Sequence, residues 1–141
     1  MNILIIDDDD VDLMAIRKVL QKKYCVLEAK TAKEGLEKAK KEKIDCIVLD
    51  YLLPDSTGLE FVKEIAETSS IPIIAVTGMG NEKIAVELMK AGVEDYLMKK
   101  DVSQLSNVIE NVFSKKNVSI QNISDITDKV KKKIKNLNDS F

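Results

Sequence analysis

Five short apolar runs alternate along this chain with longer segments in which apolar residues recur every three or four positions. Runs of this length that are rich in Ile, Leu and Val are typical of buried parallel strands, and the longer segments are typical of helices. Right-handed crossovers would join the strands into a doubly wound sheet with helices on both faces. The alternation therefore predicts an α/β fold whose strands cover residues 3–6, 25–29, 44–49, 71–76 and 95–98.

The helices between these strands carry recognisable end signals. Thr31, Thr57 and Asn81 each precede a helical pattern and can cap its first turn. We predict a fourth helix over residues 81–91 that stops at Gly92, and a fifth over residues 102–113 that is capped by Asp101.

Composition excludes several classes of function. The 22 basic and 24 acidic residues give a net charge of -2, which does not favour direct binding of nucleic acid. No apolar run approaches the roughly 20 residues that span a bilayer, and the start of the sequence lacks a signal-peptide pattern. We therefore expect a cytoplasmic protein without a membrane anchor. The sequence has no histidine, so its chemistry would use carboxylates, hydroxyls and lysines.

The composition changes after Phe113. Residues 115–141 contain seven lysines and three aspartates, whereas residues 1–114 carry the acidic excess. Apolar residues recur at steps of three and four after residue 122, which predicts a linker followed by an amphipathic C-terminal helix. We expect a main domain over 1–114 and a tail over 115–141. The tail could dimerise, lead to an output domain or make a basic contact with an acidic partner or a membrane surface, and the sequence leaves these roles open.

Polar residues follow four of the five predicted strands. Aspartates 7–10 follow the first strand, Asp50 follows the third, Thr77 ends the fourth and Lys99 follows the fifth. Ligands of doubly wound sheets bind outside the carboxyl ends of the strands. These residues are therefore the candidate functional site.

The carboxylates of Asp7, Asp8 and Asp50 would repel one another at this edge unless a cation or a proton offset their charge. A hard cation such as Mg²⁺ prefers oxygen ligands and would leave room for phosphoryl oxygens. Lys99 could add a positive charge and Thr77 a hydroxyl donor. Because four aspartates stand in a row, Asp9 could replace Asp7 or Asp8 near the metal.

Four sequence motifs resemble the receiver domain of two-component response regulators. They are ILIIDD at 3–8, VLDYLLPDSTG at 48–58, AVTG at 75–78 and DYLMK at 95–99. The order and spacing of all four agree with that family, over residues 1–114. The resemblance implies a flavodoxin-like sheet of order 2-1-3-4-5.

The resemblance also implies roles for individual residues. Asp50 would be the phosphoacceptor, Asp7 and Asp8 the acidic metal pair, and Leu52 a metal ligand through its backbone carbonyl. The implied cofactor is Mg²⁺.

Three further roles follow from the same resemblance. Lys99 would pair with the phosphate, Thr77 would be the switch hydroxyl, and Tyr96 the coupled aromatic residue that changes rotamer. Lys100 departs from the family, which usually has a proline there, often after a cis bond. Since a cis bond before a non-proline residue costs about 2.5 to 4 kcal/mol, we expect a trans or strained peptide.

The implied function is phosphate transfer from a histidine kinase or histidine phosphotransfer protein to Asp50, followed by a change in a protein-binding surface for a downstream protein target. A homodimer through the fourth and fifth helices or the tail stays open. Two alternatives remain: a Mg²⁺-dependent phosphatase with an aspartyl nucleophile, and a degenerate receiver that binds partners without phosphate. We expect no enzyme, because no insert large enough to shape a substrate pocket is visible.

Overall fold

The computed structural model describes residues 1–78 and 82–116. Its core is a parallel five-stranded sheet of order β2-β1-β3-β4-β5, which confirms the predicted α/β fold and strand order. The strands are β1 (Asn2–Ile6), β2 (Cys25–Ala29), β3 (Cys46–Leu49), β4 (Ile73–Thr77) and β5 (Asp95–Met98).

Two strands begin two residues later than predicted. The apolar pattern extends β4 back to residue 71, but Pro72 has no N–H group and cannot donate to a neighbouring strand. Its carbonyl instead accepts a hydrogen bond from the backbone N–H of Ile47 at 2.9 Å. Before β3, the carboxylate of Asp45 accepts from the N–H of Asn2 at 2.7 Å, which holds the approach to the strand.

Helices cover the sheet and bury their apolar faces against it. The buried face of α1 consists of Leu13, Ile16 and Leu20, and that of α3 includes Phe61 and Val62. The helices are α1 (Asp10–Leu20), α2 (Ala32–Lys41), α3 (Gly58–Thr68), α4 (Glu82–Lys90) and α5 (Leu105–Lys116), and a 3-10 helix (Lys99–Gln104) precedes α5. Among the described residues, no helix has the length and apolar character needed to cross a bilayer.

Two of the predicted caps and the predicted stop are confirmed. The hydroxyl of Thr31 accepts from the N–H of Glu34 at 3.1 Å, and Thr57 caps α3 in the same way. Gly92 follows α4 with a φ of 109°, and the N–H groups of Gly92 and Val93 close the helix on carbonyls of its last turn. The third predicted cap, Asn81, lies outside the described residues.

The predicted start of the fifth helix is wrong. Asp101 does not cap α5 but lies inside the 3-10 helix, with φ -104° and ψ 19°. The chain turns directly after β5, and α5 begins at Leu105, which is fully buried together with Ile109. The peptide between Lys99 and Lys100 is trans, as are all peptide bonds in the described part of the chain.

The sheet, helices α1 to α4 and the start of α5 belong to one compact unit, residues 1–109, and a second unit begins at Glu110 within α5. α5 continues through Lys116, so the first two residues of the predicted linker are helical. The remainder of the linker and the predicted amphipathic helix lie outside the described residues. The boundary after residue 114 stays a prediction.

Candidate functional site

Asp7 and Asp50 lie side by side because β1 and β3 are neighbours. Ile6 and Leu49, the last residues of the two strands, are paired in register, so the next residue of each chain segment reaches the same edge. The N–H of Asp50 donates to the carbonyl of Ile6 at 2.9 Å, which extends this pairing. Both aspartates are buried, with exposed fractions of 1% for Asp7 and 8% for Asp50.

Asp8 completes a carboxylate cluster, which we define as Asp7, Asp8 and Asp50. One carboxylate oxygen from each of the three lies within 4.8 Å of the others. Asp9 does not join them, because its carboxylate caps α1 and accepts from the N–H groups of Val11 and Asp12 at 2.8 and 3.1 Å. In this structure Asp9 therefore serves as the cap of α1, and the carboxylates that approach one another are those of Asp7, Asp8 and Asp50.

The chemistry of the carboxylate cluster fits a cation. Oδ2 of Asp7 is buried and receives no hydrogen bond from any described residue, although the ammonium of Lys99 lies 3.0 Å away. A buried carboxylate oxygen without an aligned donor is costly unless a positive charge meets it. Three carboxylates within ligand distance of one another form a donor set that suits a hard divalent cation.

Burial sets the electrostatics of the two inner carboxylates. It raises the pKa of Asp7, a shift that the N–H of Asp9 and the Lys99 ammonium partly reverse. Burial likewise raises the pKa of Asp50, against the opposing positive charge of Lys99. For Lys99 itself, burial alone would lower the pKa, but the carboxylates of Asp12, Asp7 and Asp50 raise it above its ordinary value. The lysine is therefore held in its charged form.

Lys99 follows β5 and reaches over the end of β4 to the carboxylates. Its Nζ lies 2.5 Å from Oδ2 of Asp12, 3.0 Å from Oδ2 of Asp7 and 3.2 Å from Oδ2 of Asp50. Its contact with Asp50 joins two of the residues that the sequence placed in one site. Asp12 was missed, because an acid in the first turn of a helix is ordinarily explained by the helix dipole alone.

Thr77 ends β4 and is buried, with Met98 of β5 opposite it in register. Gly78 follows and is exposed. A Cβ atom added to Gly78 would lie 3.7 Å from Cδ of Lys99, so the lysine stem passes close to this backbone. The sequence-predicted hydroxyl thus stands at the same edge of the sheet as Asp50.

The loop that carries Leu52 is closed tightly. Leu52 forms an isolated antiparallel bridge with Thr57, and the N–H of Gly58 donates to the carbonyl of Tyr51 at 2.5 Å. A Cβ atom on Gly58 would lie 2.9 Å from Cα of Tyr51, which is too close. Glycine at this position therefore allows the loop to close next to Asp50.

Asp55 connects the loop after Asp50 to a helix that is distant in sequence. Its two carboxylate oxygens accept from the N–H groups of Ala32 and Lys33, at 2.8 and 3.0 Å. These hydrogen bonds lower the pKa of Asp55. No pattern in the sequence predicts this contact, because the two partners belong to the start of α2.

Tyr96 lies in β5, half-buried, and packs against the core. Its hydroxyl donates to Sδ of Met98 at 3.6 Å, and burial raises its pKa. It pairs in register with Ala75, two residues before Thr77 on β4. Tyr96 is therefore next to the strand that ends in Thr77, but it does not belong to the group of carboxylates.

A family model described as the response regulator receiver domain matches residues 3–110. The chain belongs to the response regulator receiver family. Receiver domains are phosphoacceptor modules of two-component systems and generally bind Mg²⁺ at an acidic pocket. In this receiver the carboxylate cluster brings three acidic side chains together at the edge of the sheet.

Two curated relatives illustrate the likeness. The receiver is 34% identical over 99 residues to the KDP operon transcriptional regulatory protein KdpE of Escherichia coli. The aligned region covers 70% of this chain and 44% of KdpE. It is 33% identical over 98 residues to the transcriptional regulatory protein ResD of Bacillus subtilis, and this aligned region covers 69% of this chain and 41% of ResD. The chain thus spans less than half the length of either relative.

Solved structures agree with both the family and the fold. A CheY-like receiver domain protein from Methanospirillum hungatei is 29% identical, with a TM-score of 0.72 and coverage of 84% of this chain and 98% of that chain. A receiver domain protein from Clostridium thermocellum is 30% identical, with a TM-score of 0.74 and coverage of 83% and 97%.

Proposed function

We propose that Asp50 of this receiver accepts a phosphoryl group from a histidine kinase or a histidine phosphotransfer protein. The observation that supports this most directly is the position of Asp50: buried beside Asp7, at the carboxyl edge of the sheet, with the ammonium of Lys99 3.2 Å from Oδ2. In the proposed step a carboxylate oxygen of Asp50 bonds to phosphorus while the phosphorus–nitrogen bond of the donor breaks. The bonding pair leaves with the histidine nitrogen, and an acyl phosphate forms.

The cofactor in this proposal is Mg²⁺, held by the carboxylates of Asp7, Asp8 and Asp50 and by the backbone carbonyl of Leu52. The buried Oδ2 of Asp7 supports this assignment, because among the described residues it has no aligned hydrogen-bond donor and only the ammonium of Lys99 at 3.0 Å. When bound, the cation would shield the negative charge that the carboxylate and the phosphoryl group bring together. Two features of the backbone support this set of ligands. The register of β1 with β3 brings Asp7 and Asp50 side by side, and the bridge between Leu52 and Thr57 closes the loop that follows.

Three residues would turn phosphorylation into a signal. Lys99 would pair with phosphoryl oxygens, and the hydroxyl of Thr77 would move toward them. Tyr96, on the strand next to Thr77, would then change rotamer at the protein-binding surface. These three residues would together have two arrangements, and the charge of the phosphoryl group would favour one of them.

The output of the receiver would be protein contact with a downstream target, without direct binding of nucleic acid or membrane by the receiver residues themselves. Its place of action would be the cytoplasm, where kinases have access to ATP. A homodimer through α4 and α5, or through the tail, is one form that the contact could take. The proposed role is that of a switch and not of an enzyme that turns over an external substrate.

Phosphoryl labelling tests the proposal. Acetyl phosphate or phosphoramidate should add the mass of one phosphoryl group to the intact protein in the presence of Mg²⁺. The gain should vanish in Asp50→Asn and when the metal is chelated, and it should persist in Asp10→Asn, whose side chain is exposed on α1.

Failure of the folded, metal-loaded wild type to label would contradict the phosphoacceptor role and favour a degenerate receiver that binds without phosphate. Repeated turnover of a phosphate ester would instead favour the phosphatase alternative.

A further inference from the structure

Asp12 is the third carboxylate on Lys99 and lies outside the carboxylate cluster. It stands in the first turn of α1, where its N–H donates to the capping side chain of Asp9 at 3.1 Å. Its own Oδ2 lies 2.5 Å from Nζ of Lys99, closer than either of the other two acceptors of that ammonium. The first turn of α1 therefore carries a carboxylate that contacts the lysine directly.

The surroundings of this pair reduce screening by water. Asp12 and Lys99 border a small cleft between α1 and the 3-10 helix, which is otherwise lined by Ala15, Ile16 and Val102. The exposed fractions of the two charged side chains are 33% for Asp12 and 23% for Lys99. An ion pair on an apolar lining and partly withdrawn from water is stronger than one on an open surface.

The ammonium of Lys99 has three protons, and three carboxylates already surround it. A phosphoryl group on Asp50 would bring several new oxygens, so Lys99 could reach them only by weakening an existing contact. Asp50 and Asp7 would stay beside the phosphoryl group, whereas Asp12 approaches the lysine from α1.

We propose that Asp12 is a positioning residue that holds Lys99 in the unphosphorylated arrangement and must release it when Asp50 is phosphorylated. This inference rests on the proposed phosphoacceptor role of Asp50. Asp12 thus favours the resting state of the switch through its hold on one ammonium, without touching the reacting atoms.

The first test is the rate of labelling by phosphoramidate with Mg²⁺. Asp12→Asn keeps the shape of the side chain and removes its charge, so Lys99 is free to meet the phosphoryl group. We expect labelling to be about threefold faster than in the wild type, the equivalent of a modest ion pair. Asp10→Asn is the matched control: it removes the same charge from the same helical turn, but its carboxylate pairs with Lys30 at 2.6 Å. Its labelling rate should equal that of the wild type.

A double mutant separates positioning from a general loss of negative charge. In a Lys99→Met background, Asp12→Asn should no longer accelerate labelling, because its effect passes through the lysine. Acceleration that persists there, or an equal acceleration in Asp10→Asn, would overturn the proposal.

A double-mutant cycle of urea unfolding in metal-free buffer is a second test that requires no phosphoryl transfer. Its four proteins are the wild type, Asp12→Asn, Lys99→Met and the double mutant. We expect the unfolding equilibrium constant to show coupling of about threefold between positions 12 and 99. Absence of coupling would overturn the proposal even if the labelling rates differed. If Lys99→Met did not label at all, the unfolding cycle alone would decide the question. Failure of the wild type to label would contradict the proposed function, while the cycle would still test the ion pair by itself.

Discussion

The carboxylate of Asp55 closes the first turn of a helix that begins more than twenty positions earlier, with Oδ1 2.8 Å from the backbone nitrogen of Ala32. Thr31 caps the same helix through Glu34, so two side chains share the free N–H groups of α2. The loop that follows Asp50 is thereby tied to α2 as well as to α3.

Replacement of Asp55 by alanine should lower stability at neutral pH, because the N–H groups of Ala32 and Lys33 lose their acceptor. These bonds place the pKa of Asp55 in the folded state below its ordinary value of 3.8. The stabilisation by ionised Asp55 is therefore complete above pH 3.8 and is lost as the pH falls through the lower pKa of the folded state. Urea midpoints of wild type and Asp55→Ala should differ at neutral pH and converge in strong acid. A difference that stayed constant would contradict the ionic origin.

Asp7→Asn should stabilise the metal-free protein at neutral pH. Burial raises the pKa of Asp7, so its ionised form is disfavoured by folding, and the penalty appears as the pH rises through that pKa. The urea midpoint of the variant should exceed that of the wild type in chelator, and the gap should close in acid. A lower midpoint in Asp7→Asn would show that the contact of Asp7 with Lys99 outweighs the cost of its burial.

The same variant should lose its response to Mg²⁺. A ligand at one hundred times its dissociation constant stabilises a folded protein by about 2.7 kcal/mol, and the wild type should gain that amount from Mg²⁺. Asp7→Asn, which lacks one of the three clustered carboxylates, should gain much less at the same concentration. Thermal unfolding with and without Mg²⁺ measures both values, and equal gains would exclude Asp7 as a ligand.

Gly58→Ala should damage both stability and labelling. The added Cβ would meet the backbone of Tyr51 at 2.9 Å, and this backbone cannot move without shifting Asp50 and Leu52. We expect a loss of about 1 to 3 kcal/mol in urea unfolding, together with a weaker dependence of labelling on Mg²⁺. A variant that labels normally at every Mg²⁺ concentration would show that the loop tolerates the shift.

Gly92→Ala provides the matched glycine control. A Cβ at this position meets nothing within 4 Å, but the φ of 109° strains any other residue. Stability should fall by about 1 kcal/mol, and labelling of the folded protein should not change, since Gly92 ends α4 away from the carboxylates. A change in labelling would mean that loss of stability alone explains the result at Gly58.

The fold could be predicted from the sequence because the three central strands, β1, β3 and β4, each contain an unbroken run of buried apolar residues. The sequence was sufficient for much of the site because Asp7, Asp50, Thr77 and Lys99 stand at strand ends, which parallel strands bring to one edge. Strand limits were less certain near Pro72, where a missing N–H group outweighs the apolar pattern.

Contacts made from helices were harder to foresee. Asp12 and Asp55 each bind a partner on a distant element, and their reach depends on where α1 and α2 settle on the sheet. Asp101 has the right residue type for a cap, but the burial of Leu105 and Ile109 decides where α5 begins. The type of a side chain predicts that it can cap a helix or form an ion pair, but the packing of the helices decides which residue it contacts.

The order of the strands also governs when the chemistry can first exist. Asp7 comes from the first βα unit, Asp50 from the third and Lys99 from the fifth, and the last of these reaches across the end of β4. A nascent chain emerging from the ribosome would carry its acidic residues long before their counter-charge. The ability to be phosphorylated would therefore report that the whole sheet has been synthesised and assembled, and a truncated product would send no false signal.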